Sequence, residues 1–119
     1  DIVKNSLLAR SISIPFALVL TEKLGGSISL IPLFTVITGL VGMLLGDLLL
    51  LWMKYKNHLA SGAALGNAAH AMGIARARQR HKLEGVIASL SMIISGIIMV
   101  LFAPSLIAVT KYLLGFISF

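Results

Sequence analysis

The chain has 119 residues, 58% hydrophobic and 12% charged, with no cysteine and a formal net charge of +6. A soluble domain carries about 25% charged residues, so half that load gathered in a few places indicates an integral membrane protein, and the basic excess reads as a positive-inside signal, not a nucleic-acid footprint. Disulfide, thiolate and zinc–cysteine chemistry are excluded, and with only Asp1, Glu22, Asp47 and Glu84 as acids an anion suits the chain better than a cation.

The chain starts at Asp1 without a signal-peptide pattern, and reads as a fragment of a longer protein. Residues 1–26 form an interrupted segment and a turn. Lys4, Asn5 and Arg10 break the apolar run and Pro15 removes a backbone donor, so this is not one lipid-exposed span. The expectation is a polar, irregular entry up to Ser13, then a short helix starting near Pro15. Ser11 and Ser13 stand at its N-terminus, where free N–H groups, a partial positive charge and the neighbouring Arg10 offer a carboxylate site. The plainer alternative is an N-cap at Ser13 with Arg10 snorkelling to the headgroups. Glu22, Lys23, Gly25 and Gly26 read as the closing turn.

Residues 27–53 read as a transmembrane helix, with Trp52, Lys54 and Tyr55 at its far interface. Gly39, Gly42 and Gly46 give it a smooth packing face. Asp47 is the acid inside this apolar run. It reads equally as a proton carrier and as a solvated or lysine-paired group near Trp52 and Lys54.

Residues 60–82 follow a short basic link and are small and polar, and the run from Gly62 to Ala75 holds Gly62, Gly66, Gly73 and six alanines. Such a run packs tightly against other helices and faces lipid poorly. Ala60 to Ala75 is short for a full crossing, which suggests a discontinuous or re-entrant helix. Lys54 and Lys56 precede it and Arg76, Arg78, Arg80 and Lys82 follow it. A re-entrant hairpin puts both basic clusters on one side, whereas a broken crossing helix divides them. Arg78, Arg80 and Lys82 read as a solvated flank, while Arg76, directly after the small-residue run, reads as reaching the site. Asn67 and His70 are the hydrogen-bonding side chains of this run, and His70 suits either a satisfied core position or a site residue. His58, His70 and His81 lack metal-ligand spacing, so neither a metal nor a cofactor is expected.

Residues 84–103 read as a second transmembrane helix, with Ser89, Ser91, Ser95 and Gly96 available for helix contacts. Pro104 ends or kinks it, leaving residues 104–119 as a kinked continuation, an interfacial helix or a truncated end. The fold class is therefore an all-α integral membrane protein of transmembrane helices and re-entrant or discontinuous small-residue segments.

Two blocks carry a resemblance: LARSISIPFALVLTEKLGG at 8–26, and GNAAHAMGIARA at 66–77 followed by EGVIASLSM at 84–92. They resemble the C-terminal part of the LrgB/CidB family of bacterial membrane proteins and its plastid relatives. Arg10, Ser11, Ser13, Pro15, Gly66, His70, Gly73, Arg76 and the Glu84–Gly85 pair keep the family pattern in identity or type. Ala9, Ile14, Asn67, Ala69 and Ile74 depart from it, and most of these departures remove a hydroxyl. The resemblance implies half of a larger transporter-like bundle in a bacterial inner membrane. It implies two activities: a holin-like or antiholin-like effect on murein hydrolase release and autolysis, or transport of small carboxylates such as pyruvate, glycolate and glycerate.

The residues favour a secondary transporter of a small organic monocarboxylate. In this reading Arg10, Ser11, Ser13, Asn67, His70 and Arg76 bind the solute, Pro15, Gly66 and Gly73 shape the site, and His70 or Asp47 carries a proton. The alternative is a holin-like pore or regulator. No nucleophile–base pair or phosphate loop suggests an enzyme. The expected partners are the lipid bilayer, a small organic anion, and either further copies of the chain or a small LrgA/CidA-like membrane protein, with no nucleic acid.

Overall fold

The computed structural model describes residues 2–54 and 56–117, without the side chains at 106, 110, 111 and 113–117, so what the sequence suggests of Asp1, Tyr55 and residues 118–119 lies outside the described residues. All regular structure within them is helical: α1 Ile2–Leu8, α2 Ile14–Leu24, a 3-10 turn Ile28–Leu30, α3 Ile31–Trp52, α4 His58–Arg80 and α5 Lys82–Ile117.

Ile2–Leu8 is a helix where the sequence suggests an irregular entry. The polar residues that interrupt the run stitch this helix to the end of α2. Asn5 donates its amide to the Leu24 carbonyl at 2.8 Å, and Ser6 Oγ accepts from the Ser27 N–H at 2.7 Å. Residues 9–13 then lead to Ser13, where α2 begins with Pro15 in its first turn. α2 ends in a Schellman motif: Gly25 takes φ +68°, its N–H donates to the Glu22 carbonyl, and the Gly26 N–H donates to that of Thr21. α1 and α2 thus form one hairpin, with its base beside Ser27 and its tip at 9–13.

α4 forms the second hairpin. Were its 23 residues straight they would separate its ends by about 34 Å. Instead the rings of His58, its first residue, and His81, its C-terminal cap, stack with centroids 4.2 Å apart. The reversal is at His70, whose φ 50° and ψ −129° are not helical. The two arms, 58–69 (α4a) and 71–80 (α4b), run antiparallel, close enough that a Cβ on Gly73 would overlap the Leu65 carbonyl. Asn57 starts α4a by accepting from the Leu59 N–H at 3.0 Å. Of the two forms the sequence leaves open for this segment, the hairpin is the one found, so both basic clusters lie at one end of the bundle.

Glycine faces join these elements. Gly42 of α3 lies against the Ala68 carbonyl, and Gly66 of α4a against Ala88 of α5. α5 continues through Pro104 as far as Ile117.

The buried apolar residues are mostly small, such as Ala17, Ala69, Ala77, Ala88 and Ala103. The large ones face outward: Leu33, Ile37, Leu40, Leu44, Leu48 and Leu51 on α3, and Leu90, Ile94, Ile97 and Leu101 on α5, are exposed. Ile28–Trp52 and Lys82–Val109 are long and apolar enough to cross a membrane. An outward-facing apolar surface on such helices is what lipid or further membrane helices cover, and the chain is an all-α membrane protein.

Candidate functional site

The two hairpins enter from opposite ends. The α1–α2 base lies at the start of α3, beside Ser27, whereas the α4 base lies toward the end of α3, where Arg76 and Arg80 reach Asp47. Their tips meet around a cavity of about 460 Å³. Ser13, Ile14, Pro15 and Phe16 line it from the start of α2, Thr35 and Gly39 from α3, His70 and Met72 from the α4 tip, and Met92 from α5. Gly39 is next to the middle residue of the Ile28–Trp52 stretch, so the cavity lies about halfway along that span.

The lining is largely apolar, and its polar groups are few. His70 is 4% exposed, with its Nε2 unpartnered and the backbone of Arg10 within polar reach of its ring. Thr35 is 5% exposed and its Oγ1 is also unpartnered. Ser13 occupies the N-cap of α2 but makes no side-chain cap bond, so its hydroxyl is not consumed there. Two helix starts, α2 and α4b, open at this cavity, and such ends present free N–H groups and a partial positive charge. Free N–H groups at helix starts beside an apolar chamber are the chemistry that attracts an anion.

Of the candidate residues from the sequence, Ser13, Pro15 and His70 come together here. Arg10 is exposed and approaches His70 through its backbone, and Ser11 is exposed outside the cavity lining. Asn67 donates to the Ala63 carbonyl of its own helix at 3.0 Å. Gly66 and Gly73 act in helix packing. Arg76 does not line the cavity. Its Nη2 and Nε lie 2.6 and 3.0 Å from Asp47 Oδ2, beside a separate cleft of about 370 Å³.

That ion pair belongs to a network the sequence reading missed. Arg80, taken as part of a solvated flank, is only 20% exposed and bonds Asp47 Oδ1 at 3.1 Å. Its Nε also stands 3.1 Å from Glu84 Oε2, a charge contact without hydrogen-bond alignment. His58 Nδ1 meets Glu84 Oε1 at 2.7 Å. Asp47 is therefore paired with two arginines and not with Lys54, and the network clamps α3, both arms of α4 and α5 at the hairpin base. The i, i+4 series Arg76, Arg80, Glu84 was the available signal. Thr35 had one too, since it lies one turn before Gly39 on the small-residue face of α3.

These features define a helical membrane protein built on two opposed helical hairpins with a largely apolar cavity between their tips. The chain belongs to the LrgB-like family, which it matches over residues 1–109. It is 32% identical over 104 residues to the uncharacterized protein YwbG of Bacillus subtilis, covering 87% of this chain and 46% of that protein. It is 35% identical over 102 residues to the holin-like protein CidB of Staphylococcus aureus, covering 86% and 44%. YxaC of Bacillus subtilis is 35% identical over 99 residues, covering 83% and 43%. The chain thus spans less than half the length of the curated relatives it matches. No solved structure matches it.

Proposed function

We propose that the chain is the hairpin-bearing part of a holin-like membrane protein that governs the passage of small solutes, and that the solute is a small organic monocarboxylate. The holin-like name of the Staphylococcus relatives supports the broader statement. One observation carries the finer one: His70, buried at a helix break with its Nε2 unpartnered, is among the residues lining an apolar cavity onto which two helix N-termini open. An acid small enough to enter gives its carboxylate to the N-terminal N–H groups and its remaining polar atoms to His70 and Ser13. Arg10 and Ser11 lie on the approach to this site, Arg76 and Asp47 hold the hairpin base, and a proton carried with the solute would reside on His70. The setting is a multi-pass protein of a bacterial inner membrane, a non-enzymatic function, and an assembly with further copies or with a small membrane protein of the LrgA/CidA kind.

The second reading is a nonselective pore or a regulator of murein hydrolase release, which the CidB name and the exposed apolar faces of α3 and α5 favour. The full-length parent reconstituted in liposomes separates the two. Saturable uptake of labelled pyruvate, glycolate, glycerate or lactate without release of a trapped inert dye is expected of the carboxylate path. Dye release without selectivity among the acids overturns it in favour of the pore.

A further inference from the structure

The cleft of about 370 Å³ at the hairpin base has no part in solute passage, and its two walls differ in chemistry. It is lined by Met43, Leu44 and Asp47 of α3 and by Ala75, Arg76 and Gln79 of α4b. The α3 wall is mostly apolar: Leu44 is 59% exposed and continues the outward face of Leu40 and Ile37. The α4b wall brings hydrogen-bond donors. A guanidinium has five N–H groups, of which Arg76 gives two to Asp47, from Nε and Nη2, and one to Gln79 Oε1, from Nη1. One N–H on each Nη and the amide N–H groups of Gln79 have no partner among the described residues, and the Arg76 side chain is 39% exposed.

Depth and charge narrow what such a cleft takes. From Ile28, the start of the apolar stretch, to Asp47 is about 29 Å along the helix, close to the roughly 30 Å of hydrocarbon in a bilayer. The cleft therefore lies where acyl chains give way to headgroups, with Trp52, 80% exposed, beyond it on the headgroup side. Asp47 and Glu84 balance Arg76 and Arg80 in the ion-pair network. Exposed Lys56, Arg78 and Lys82 add unopposed positive charge at the same end of the bundle.

We propose that this cleft binds an anionic phospholipid, its phosphate on Arg76 and Gln79 and an acyl chain along Leu44, Leu40 and Ile37. Phosphate oxygens only accept hydrogen bonds, and the unused N–H groups of Arg76 and Gln79 supply donors in a planar fork that suits them. A free phosphate ion would lose hydration against Met43 and Leu44 without gaining an apolar contact, whereas a lipid brings a chain for that wall. A zwitterionic lipid offers the same phosphate, but its ammonium would face the basic cluster, so the net-negative headgroup is preferred. The site is separate from the cavity between the hairpin tips, and the inference stands whatever solute passes there.

The test titrates the full-length parent in detergent with phosphatidylglycerol, phosphatidylcholine or inorganic phosphate, and reads retained lipid by native mass spectrometry and stabilisation by thermal unfolding. Phosphatidylglycerol is expected to bind at least tenfold more tightly than phosphatidylcholine, and inorganic phosphate to stabilise little. Arg76→Lys keeps the charge opposite Asp47 but loses the fork, and Gln79→Leu removes the amide. Each should weaken phosphatidylglycerol binding roughly tenfold, the scale of one hydrogen bond to a charged group. Lys23→Gln, at the other end of the bundle, should leave it unchanged. Gln79→Leu decides the matter if Arg76→Lys does not fold, because Gln79 is exposed and should not alter unfolding without lipid. Equal binding of the two lipids overturns the proposal, as does full binding in Gln79→Leu, which would mean attraction spread over the basic surface. Stabilisation by inorganic phosphate equal to that by phosphatidylglycerol overturns it in favour of a soluble anion.

Discussion

His58 and His81 lie at the two ends of α4 and stack ring on ring, 4.2 Å between centroids and 13° from parallel. Residues so placed on one straight helix could not meet, so this contact alone makes α4 a hairpin with its tip at His70. It sets the depth of the segment, because each arm reaches only about half the length of a spanning helix. It also puts Lys56, Arg78 and Lys82 at one end of the bundle, where the positive-inside rule wants them.

Cysteines placed at 58 and 81 of a cysteine-free full-length parent should therefore join under mild oxidation or with a short bifunctional reagent. Both should react with an impermeant thiol reagent from the same side of the membrane. A crossing helix predicts no cross-link and labelling from opposite sides.

Why was the interruption of this segment legible while its clamp was not? The shortness of the glycine and alanine run points to a discontinuous or re-entrant segment, and the like charges on both sides leave either form open. The turn at His70 is visible only in the structure. The clamp joins Asp47 to Arg76 and Arg80 across long separations, and a sequence shows only that Asp47 needs some partner. Lys54 was nearer in the chain, but the hairpin brings the arginines nearer in space. α1 was misread because Asn5 and Ser6 look like breaks in an apolar run until α2 offers its C-terminus to receive them. His70 stood out as a lone imidazole among small residues, whereas Thr35 was one hydroxyl among many in a transmembrane helix.

Removing Glu84 tests the clamp. This carboxylate is 4% exposed and meets both His58 and Arg80. Glu84→Ala should lower the unfolding free energy by about 2–3 kcal/mol, somewhat under the cost of orphaning a fully buried charge because Arg80 keeps Asp47. Thermal unfolding of the full-length protein in detergent reads this. Asp47→Asn should act through the more exposed Arg76, so its effect should shrink as salt rises. A salt-independent loss would mean that Asp47 has a role other than this pairing.

Glycine substitutions should divide by contact. A Cβ on Gly73 overlaps the Leu65 carbonyl and one on Gly66 overlaps the Ala88 carbonyl, both backbone atoms that cannot yield cheaply. Gly73→Ala and Gly66→Ala should each cost upward of about 1–3 kcal/mol, or abolish the folded peak in size-exclusion chromatography. Gly25 has open space around it, so Gly25→Ala should cost only the strain of φ +68°, about 1 kcal/mol. Equal tolerance at all three positions is incompatible with the close approach of the α4 arms and α5.

The strongest separation of structure from function lies at His70. Its φ 50° and ψ −129° belong to a region that glycine enters easily and an L-residue enters at a cost of about 1–3 kcal/mol. Its buried Nε2 adds an unpaired polar atom to that cost. Stability alone accounts poorly for a histidine there, since glycine makes the same reversal without the backbone strain or the unpaired Nε2, at the loss of one contact to the Arg10 backbone. His70→Gly should therefore leave the unfolding temperature of the full-length parent unchanged or raise it, despite the small cavity it opens, while abolishing solute uptake. His70→Ala keeps most of the backbone strain and loses the imidazole, so it should be the less stable of the two and equally inactive. If His70→Gly instead destabilises the protein and uptake survives, the imidazole is a packing group at the hairpin tip and the solute does not meet it.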